Sequence, residues 1–478
     1  MAIKIIDKNK FQQKFNVSKE DKVEYGEIYT PFSLIKEMFD MFPIEIFKNI
    51  NSKWLDPGAG IGYFSIYLYW KLMDSLIDTI PDKDIRHNHI IENMIYMVEI
   101  KSTNCEELKR IFGENANIIC ENFTENDNLF NKIEFDYIIG NPPYNSKGMK
   151  KVPTNKIKNK KEDGKTIWIS FTKKAISLLK PKGFLLFIIP SIWMKPDKAM
   201  MYDYLTQYKI NKLKCLNNTE TNSYFKGEAQ TPTCYFILEK SPANKKINGN
   251  IFIDLFDTNR REYIEYNFSL HREEPIPVFG VGIITKLKPF IEKIGHLKVI
   301  KTNLPNKNTN FSLIKNIQHP YINIKTCKLS GLNNLSPELI INYSDKPQVF
   351  YGKKKIILAH KMYGFPYFDK KGLYGISNRD NYVIINSNYT DEDYNKLCDF
   401  LSTKTSLYLF ETTRYRMKYL EKYAFSFIPD IVRLSNEDIE FPKKINDESI
   451  ANYFKFDNID RENIKLLHKK EYNFTFVD

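Results

Sequence analysis

Phe135 to Tyr144 reads Phe-Asp-Tyr-Ile-Ile-Gly-Asn-Pro-Pro-Tyr, and this stretch constrains the chain more than any other. The apolar run 135–139 around Asp136 predicts a short buried strand. Gly140 ends it, and Pro142 and Pro143 forbid a helix or a further strand. Asn141 and Tyr144 then sit on a rigid loop at the carboxyl end of a strand, where open α/β sheets bind their ligands. Asn141 offers a side-chain carbonyl. Pro142 has no N–H, and its own carbonyl is free to accept. Tyr144 offers a flat ring. Two acceptors and a ring suit a planar group with an exocyclic NH2. The carbonyls take its two hydrogens and turn the nitrogen lone pair toward an electrophile, while the ring stacks on the base. A plain tight turn, with Tyr144 as packing, uses the same residues, because short motifs recur by chance. The context upstream weighs between the two.

Gly26-Glu27-Ile28-Tyr29-Thr30-Pro31 precedes Phe32, Leu34, Ile35, Met38 and Phe39 at helical spacing. Thr30 is expected as N-cap, with Pro31 at the first helical position. Next, Trp54-Leu55-Asp56-Pro57-Gly58-Ala59-Gly60-Ile61-Gly62-Tyr63-Phe64 reads as a strand end, a glycine turn and a helix start. Glycines there let the backbone approach a ligand. The spacing is neither a dinucleotide fingerprint nor a P-loop. A second strand, 94–98, ends in Glu99, and a carboxylate in that place commonly holds ribose hydroxyls. A helix (106–112) and a third strand (117–120) lead to Glu121-Asn122-Phe123, and the fourth strand delivers Asn141. Four successive strand ends each present a polar or flat group, which core packing alone does not explain.

Together these motifs resemble the S-adenosylmethionine-dependent DNA adenine-N6 methyltransferases. More narrowly, they resemble the group with the cofactor motif first, the catalytic motif in the middle and the target-recognition region last. The resemblance is specific over residues 25–240 and looser beyond. It implies an α/β fold: a Rossmann-like methyltransferase domain followed by a mixed α/β domain. It places Tyr29, Thr30 and Pro31 by the methionine moiety, and Asp56, Gly58 and Gly60 along the cofactor's amino-acid end and sulfonium. Glu99 would hold the ribose, and Phe123 would stack on the cofactor adenine. Asn122 stands where an Asp is usual, so the charge facing the adenine NH2 is lost. Asn141, Pro142, Pro143 and Tyr144 become the catalytic set, and Phe225 is the candidate for packing against an extruded base beside Tyr144.

The remainder of the chain fits a nucleic-acid partner. Residues 1–144 carry 16 Lys+Arg against 23 Asp+Glu, and residues 145–478 carry 55 against 35. A basic balance interleaved with Tyr and Phe suits phosphates and bases. Residues 145–166 hold eight lysines and two acids, and read as a loop that contacts phosphate. Lys158, Lys160 and Lys161 there, and Lys361, Arg414, Arg416 and Lys418 later, are the candidate DNA contacts. Arg414 and Lys418 share a face if residues 390–423 form one helix. The expected division is 1–243 for catalysis and 244–478 for target recognition.

No apolar run approaches the roughly 20 residues of a membrane span. Six scattered cysteines read as reduced core thiols of a cytoplasmic protein, bacterial or in a viral host. Seven histidines show no ligand spacing, so no metal is expected. Pro81-Asp82 with Glu99-Ile100-Lys101 superficially matches a nuclease pattern. Glu99 fits better as the ribose ligand, no domain is expected before residue 25, and no cleavage is expected. The reading is a monomeric enzyme on duplex DNA, with a separate restriction endonuclease acting on the same site left open. The alternatives are a cytosine-N4 methyltransferase and a catalytically inactive DNA-binding relative.

Overall fold

The computed structural model describes residues 6–8, 28–126, 128–130, 132–145, 166–226, 231–244, 249–305, 307–330, 336–360, 366–415 and 420–467. The chain forms two compact units, 1–256 with 267–270, and 257–266 with 271–478.

The first unit is built on one twisted sheet. Its elements in chain order are α1 (Phe32–Phe39), β1 (Trp54–Asp56), α2 (Tyr63–Ser75), α3 (Lys83–His89), β2 (Ile95–Val98), α4 (Ser102–Phe112), β3 (Asn117–Ile119) and β4 (Phe135–Gly140). Then follow α5 (Trp168–Leu178), β5 (Leu179–Pro190), α6 (Met201–Thr206), β6 (Tyr208–Leu216), α7 (Asn218–Tyr224), β7 (Thr233–Pro242), β8 (Ile251–Asp257) and β9 (Glu262–Phe268). The strand order is β3-β2-β1-β4-β5-β7-β6-β8-β9. β1 to β5 are parallel, and β7 runs antiparallel to both β5 and β6. The fold is α/β, the class expected from the motifs, with β1 to β5 parallel as in an open Rossmann-like sheet.

The sequence shows why β4 and β5 lie in the middle. Residues 185–189 of β5 are all buried, a continuous apolar run that suits a strand covered on both faces. At the amino ends, Trp54 and Tyr137 stack with ring centroids 4.0 Å apart, and Tyr137 stacks on Phe184. These residues are register partners across β1, β4 and β5. Aromatic packing thus locks one end of the three strands, and the polar motifs gather at the other.

The second unit holds α8 (Val281–Ile294), β10 (Ile300–Lys301), β11 (Phe311–Ser312), β12 (Tyr321–Ser330), β13 (Ser336–Ser344), β14 (Lys355–Ala359), β15 (Pro366–Asp369), β16 (Gly375–Ile376) and β17 (Asn381–Ile384). After them come α9 (Asp391–Leu401) and α10 (Lys404–Glu411). The strands make two four-stranded sheets, β10-β17-β14-β15 and β11-β13-β12-β16. Ile324, Cys327, Ile357, Ala359, Ile376 and Val383 form their shared core.

Two expectations are corrected. Residues 390–423 are not one helix: α9 ends at Leu401, and Thr403 caps α10 by accepting from the Ser406 N–H. Side-chain capping outweighs the apolar periodicity there. Arg414 lies past α10 and pairs with Glu411 at 2.7 Å, and Lys418 lies outside the described residues. The cysteines are not all reduced either. Cys105 on α4 and Cys120 after β3 form a disulfide, with Cα atoms 6.1 Å apart. A helix folding back along its following strand brings them together, which their spacing of 15 does not reveal. The other four cysteines are buried thiols.

Candidate active site

Asn141 stands just past β4. Its Nδ2 donates to Thr30 Oγ1 at 3.2 Å, and its Oδ1 is buried with no hydrogen-bond partner. Thr30 is only 4% exposed. A hydroxyl can meet either end of an amide; here the Thr30 oxygen accepts from Nδ2, which leaves Oδ1 as the open end. The nitrogen is tied back and the acceptor faces forward. Thr30 is therefore not the N-cap that was expected. Pro31 takes that place, its carbonyl accepting from the N–H groups of Leu34 and Ile35. Pro31 has no side-chain cap bond to give, and the Thr30 hydroxyl accepts from Asn141.

The loop after Asn141 is held on both sides. Tyr144 accepts from the Ile167 N–H through its carbonyl, and its hydroxyl lies 3.5 Å from the Ile188 carbonyl at the end of β5. Burial raises its phenol well above the ordinary tyrosine range. Asn145 and Thr166 form an antiparallel bridge.

β1 ends on Asp56, which is 2% exposed. Ser65 Oγ, in the first turn of α2, donates to Oδ2 at 3.0 Å, and Oδ1 has no hydrogen-bond partner. Burial pushes this carboxyl up to about 7; the Ser65 hydroxyl and the backbone N–H groups of Gly58 and Ser65 oppose the rise, and the neighbouring Glu99 charge adds to it. Gly140 follows at φ 150°, and a Cβ there would lie 3.3 Å from Asp56 Oδ1. Only glycine lets β4 pass the carboxylate in that conformation. Gly58 is the other close approach. A Cβ on it would stand 3.4 Å from the Phe171 ring and 3.9 Å from Pro143. The glycine turn, the catalytic loop and α5 therefore meet.

At the end of β2 the pattern differs. Glu99 is buried, and both oxygens already accept: Oε2 from the Gly60 N–H at 2.7 Å, Oε1 from the Lys101 N–H at 2.8 Å. The carboxylate ties the glycine turn to β2, and each oxygen keeps a second lone pair. Past β3, Asn122 Oδ1 accepts from both the N–H and the hydroxyl of Thr124. An adenine amine could meet that oxygen only by sharing it. Phe123 is 3% exposed, with its ring 4.8 Å from that of Phe171 and the Lys174 ammonium 5.4 Å from its centroid.

Tyr29, Thr30, Asp56, Gly58, Gly60, Glu99, Phe123, Asn141 and Pro143 are thus linked at one edge of the sheet by bonds or close approaches, Tyr29 through its edge-on contact with Tyr63. Phe225 is buried at the end of α7, and no ring contact joins it to Tyr144 among the described residues. Lys158, Lys160, Lys161, Lys361, Arg416 and Lys418 lie outside the described residues. Sequence reasoning missed Phe171, which meets both Gly58 and Phe123, and Ser65, which holds Asp56. An aromatic in the first turn of the helix after the catalytic loop was the available signal for Phe171.

The sequence model of the Eco57I restriction-modification methylase family matches residues 59–224. That span contains Gly60, Glu99, Phe123 and the Asn141–Tyr144 turn, while Thr30 and Asp56 lie before it. The resemblance read from the motifs is borne out. An uncharacterized adenine-specific methylase of Mycoplasma pneumoniae is 25% identical over 48% of this chain and 71% of its own. The modification methylase CviBIII of a Paramecium bursaria Chlorella virus is 25% identical over 50% of this chain. This chain spans 55% of that methylase's length. Among solved structures, the type IIL restriction-modification enzyme MmeI in complex with DNA superposes with a TM-score of 0.47 at 10% identity, over 86% of this chain and 69% of MmeI. A modification subunit of a putative type I restriction enzyme from Vibrio vulnificus gives 0.35 at 14% identity, over 57% and 55%.

Proposed function

We propose that the protein is a site-specific DNA methyltransferase that moves a methyl group from S-adenosyl-L-methionine to the N6 amine of an adenine flipped out of duplex DNA. One observation carries the reading. A buried amide at the end of β4 has its nitrogen held by Thr30 and its carbonyl oxygen without a partner. A buried acceptor left open costs about 1–3 kcal/mol. Asn211, Asn218, Asn323 and Asn381 share that feature, and Asn141 is set apart by its place past β4 in the Asn-Pro-Pro-Tyr turn, where a substrate can supply the donor. An exocyclic NH2 is that donor. The names of the two curated relatives support a base-modifying role.

The chain's own groups fit the cofactor. Asp56 Oδ1, buried and open, suits a cationic ligand, and the absent Cβ of Gly140 keeps the space 3.3 Å from that oxygen clear. S-adenosyl-L-methionine supplies a methyl group activated on a sulfonium. Asn141 Oδ1 and the Pro142 carbonyl accept the two amine hydrogens, and Tyr144 stacks on the base. Orientation and preorganised acceptors lower the barrier, with no tuned general base. The base leaves its stack at a cost of a few kcal/mol. The second unit is assigned to target recognition by its place after the catalytic motif; residues 257–478 carry 34 Lys+Arg against 27 Asp+Glu, a milder excess than the 21 against 8 of residues 145–256.

Purified protein is incubated with methyl-labelled S-adenosyl-L-methionine and plasmid DNA, and the nucleosides are separated. Label in N6-methyladenine is expected. Label in N4-methylcytosine would move the reading to cytosine. Cofactor bound with no transfer to DNA would leave an inactive relative.

A further inference from the structure

The second unit carries a surface that its own packing does not explain. Residues 293–337 contain seven lysines and neither Asp nor Glu. Within them, β11 leads into a tight turn. Asn316 bridges His319, whose N–H donates to the Asn316 carbonyl at 3.1 Å and to its Oδ1 at 2.9 Å. The Ser312 hydroxyl donates to the Ile314 carbonyl at 2.7 Å and accepts from the Ile314 N–H at 3.1 Å. The turn is held by its own bonds. Yet it presents its largest side chains to water: Leu313 is 82% exposed, Ile314 75% and Ile317 99%, with Lys315 exposed between them. Three large aliphatic side chains within five residues gain nothing from water, and such a patch marks a partner.

We propose that the 313–317 turn is an apolar wedge that enters a groove of duplex DNA and parts a base step, while the surrounding lysines rest on phosphates. The proposal rests on the reading of the second unit as DNA-binding, and adds which element deforms the duplex. Charge decides among partners. The turn carries Lys315 and the stretch around it no acid of its own, although Asp345 of the neighbouring chain segment bonds Asn310 before β11; a net positive stretch complements a phosphate backbone. An apolar side chain between base steps is how architectural proteins kink a duplex. Kinking is also what a base-flipping enzyme needs, because an unstacked step lowers the cost of extruding the neighbouring nucleotide.

The test uses the full chain, a duplex labelled at both ends, and two variants. One carries Leu313→Ser, Ile314→Ser and Ile317→Ser together; the other carries Lys315→Ala. All four positions are exposed, so both variants should keep the wild-type melting temperature and cofactor affinity. The triple variant is expected to bind duplex about tenfold more weakly or worse, and to lose the end-to-end approach that reports a bend. Its salt dependence should match the wild type, because no cation is lost. Lys315→Ala should keep the bend and reduce the log–log salt slope by up to about one unit. Equal affinity and an equal bend in the triple variant would overturn the wedge. So would a wild-type dimer that the triple change makes monomeric with DNA affinity unchanged, which would make the patch an interface between copies. Binding of anionic vesicles that depends on the three residues, with DNA affinity unaffected, would assign the patch to a membrane surface. A wild-type protein that binds cofactor but no duplex would remove the DNA reading itself, and the wedge with it.

Discussion

Two pairs of strand ends share one edge of the first sheet and are finished differently. At β1 and β4, Asp56 and Asn141 each keep one buried oxygen without a partner. At β2 and β3, the side-chain oxygens of Glu99 and Asn122 all accept from neighbouring backbone or hydroxyl donors. A buried acceptor left open is costly, and a satisfied one holds its surroundings in place. On the proposed function the first pair receives the ligands, and the second keeps the walls of the site in shape. The difference would then separate residues that act on the reacting groups from residues that preform the site.

The comparison breaks most visibly at Asn141. Asn141→Ala removes the open acceptor and should lower turnover by about 10²–10³-fold, the loss typical of one preorganised transition-state hydrogen bond. Cofactor affinity should stay within a few-fold, measured by calorimetry. Turnover within tenfold of wild type would show that the open oxygen is not the catalytic one. Glu99→Ala tests the other side. It removes two acceptors that tie the Gly60 turn to β2, and should weaken cofactor binding by about 10–100-fold, with less change in turnover at saturation. Unaltered affinity would mean that the satisfied oxygens preform nothing.

Thr30 sharpens the comparison, since its hydroxyl takes the Asn141 amide nitrogen and leaves the oxygen open. Thr30→Val should reduce turnover by about tenfold, the worth of one neutral hydrogen bond, and Thr30→Ser should restore it. A purely structural role predicts a lowered melting temperature in the valine variant, and no rescue of turnover that is separate from rescue of stability.

What could be read in the sequence was local. A glycine turn after a short strand, an acid at the end of the next and Asn-Pro-Pro-Tyr at the end of the fourth each declare themselves within a few residues. Their order predicted the sheet. The Thr30 to Asn141 bond spans 111 positions, and nothing near Thr30 distinguishes it from a helix cap. Phe171 looked like any aromatic on an amphipathic helix. Cys105 and Cys120 lie on elements whose antiparallel return only the fold creates. The second unit was poorly legible for a different reason. Three of its strands are two residues long, and one of its sheets adds a parallel pair to antiparallel ones, so no period accumulates. Residues 390–423 failed in the opposite way: the apolar pattern continued, but the Thr403 cap divided it.

The smallest effect concerns the open oxygen of Asp56. Its carboxyl is held at about 7 in the folded protein against 3.8 as the ordinary value, through burial first. Between those values the folded, empty protein keeps a proton that the unfolded chain has lost. The group's contribution to stability is complete below the ordinary value and is lost as pH rises through about 7. A cationic ligand beside Oδ1 reverses the preference and favours the ionised carboxylate. Binding then releases a proton, and affinity for S-adenosyl-L-methionine should rise about threefold between about pH 6.5 and 7.5. Calorimetry in two buffers of different ionisation enthalpy should report that proton directly. Asp56→Asn should flatten the pH dependence and abolish the buffer effect, whatever it does to absolute affinity. If the wild type shows neither a slope nor a proton, then Asp56 is already ionised when the cofactor arrives. Its second oxygen would then be satisfied by something other than the cofactor, and the contrast between β1 and β2 would narrow to the single acceptor on Asn141.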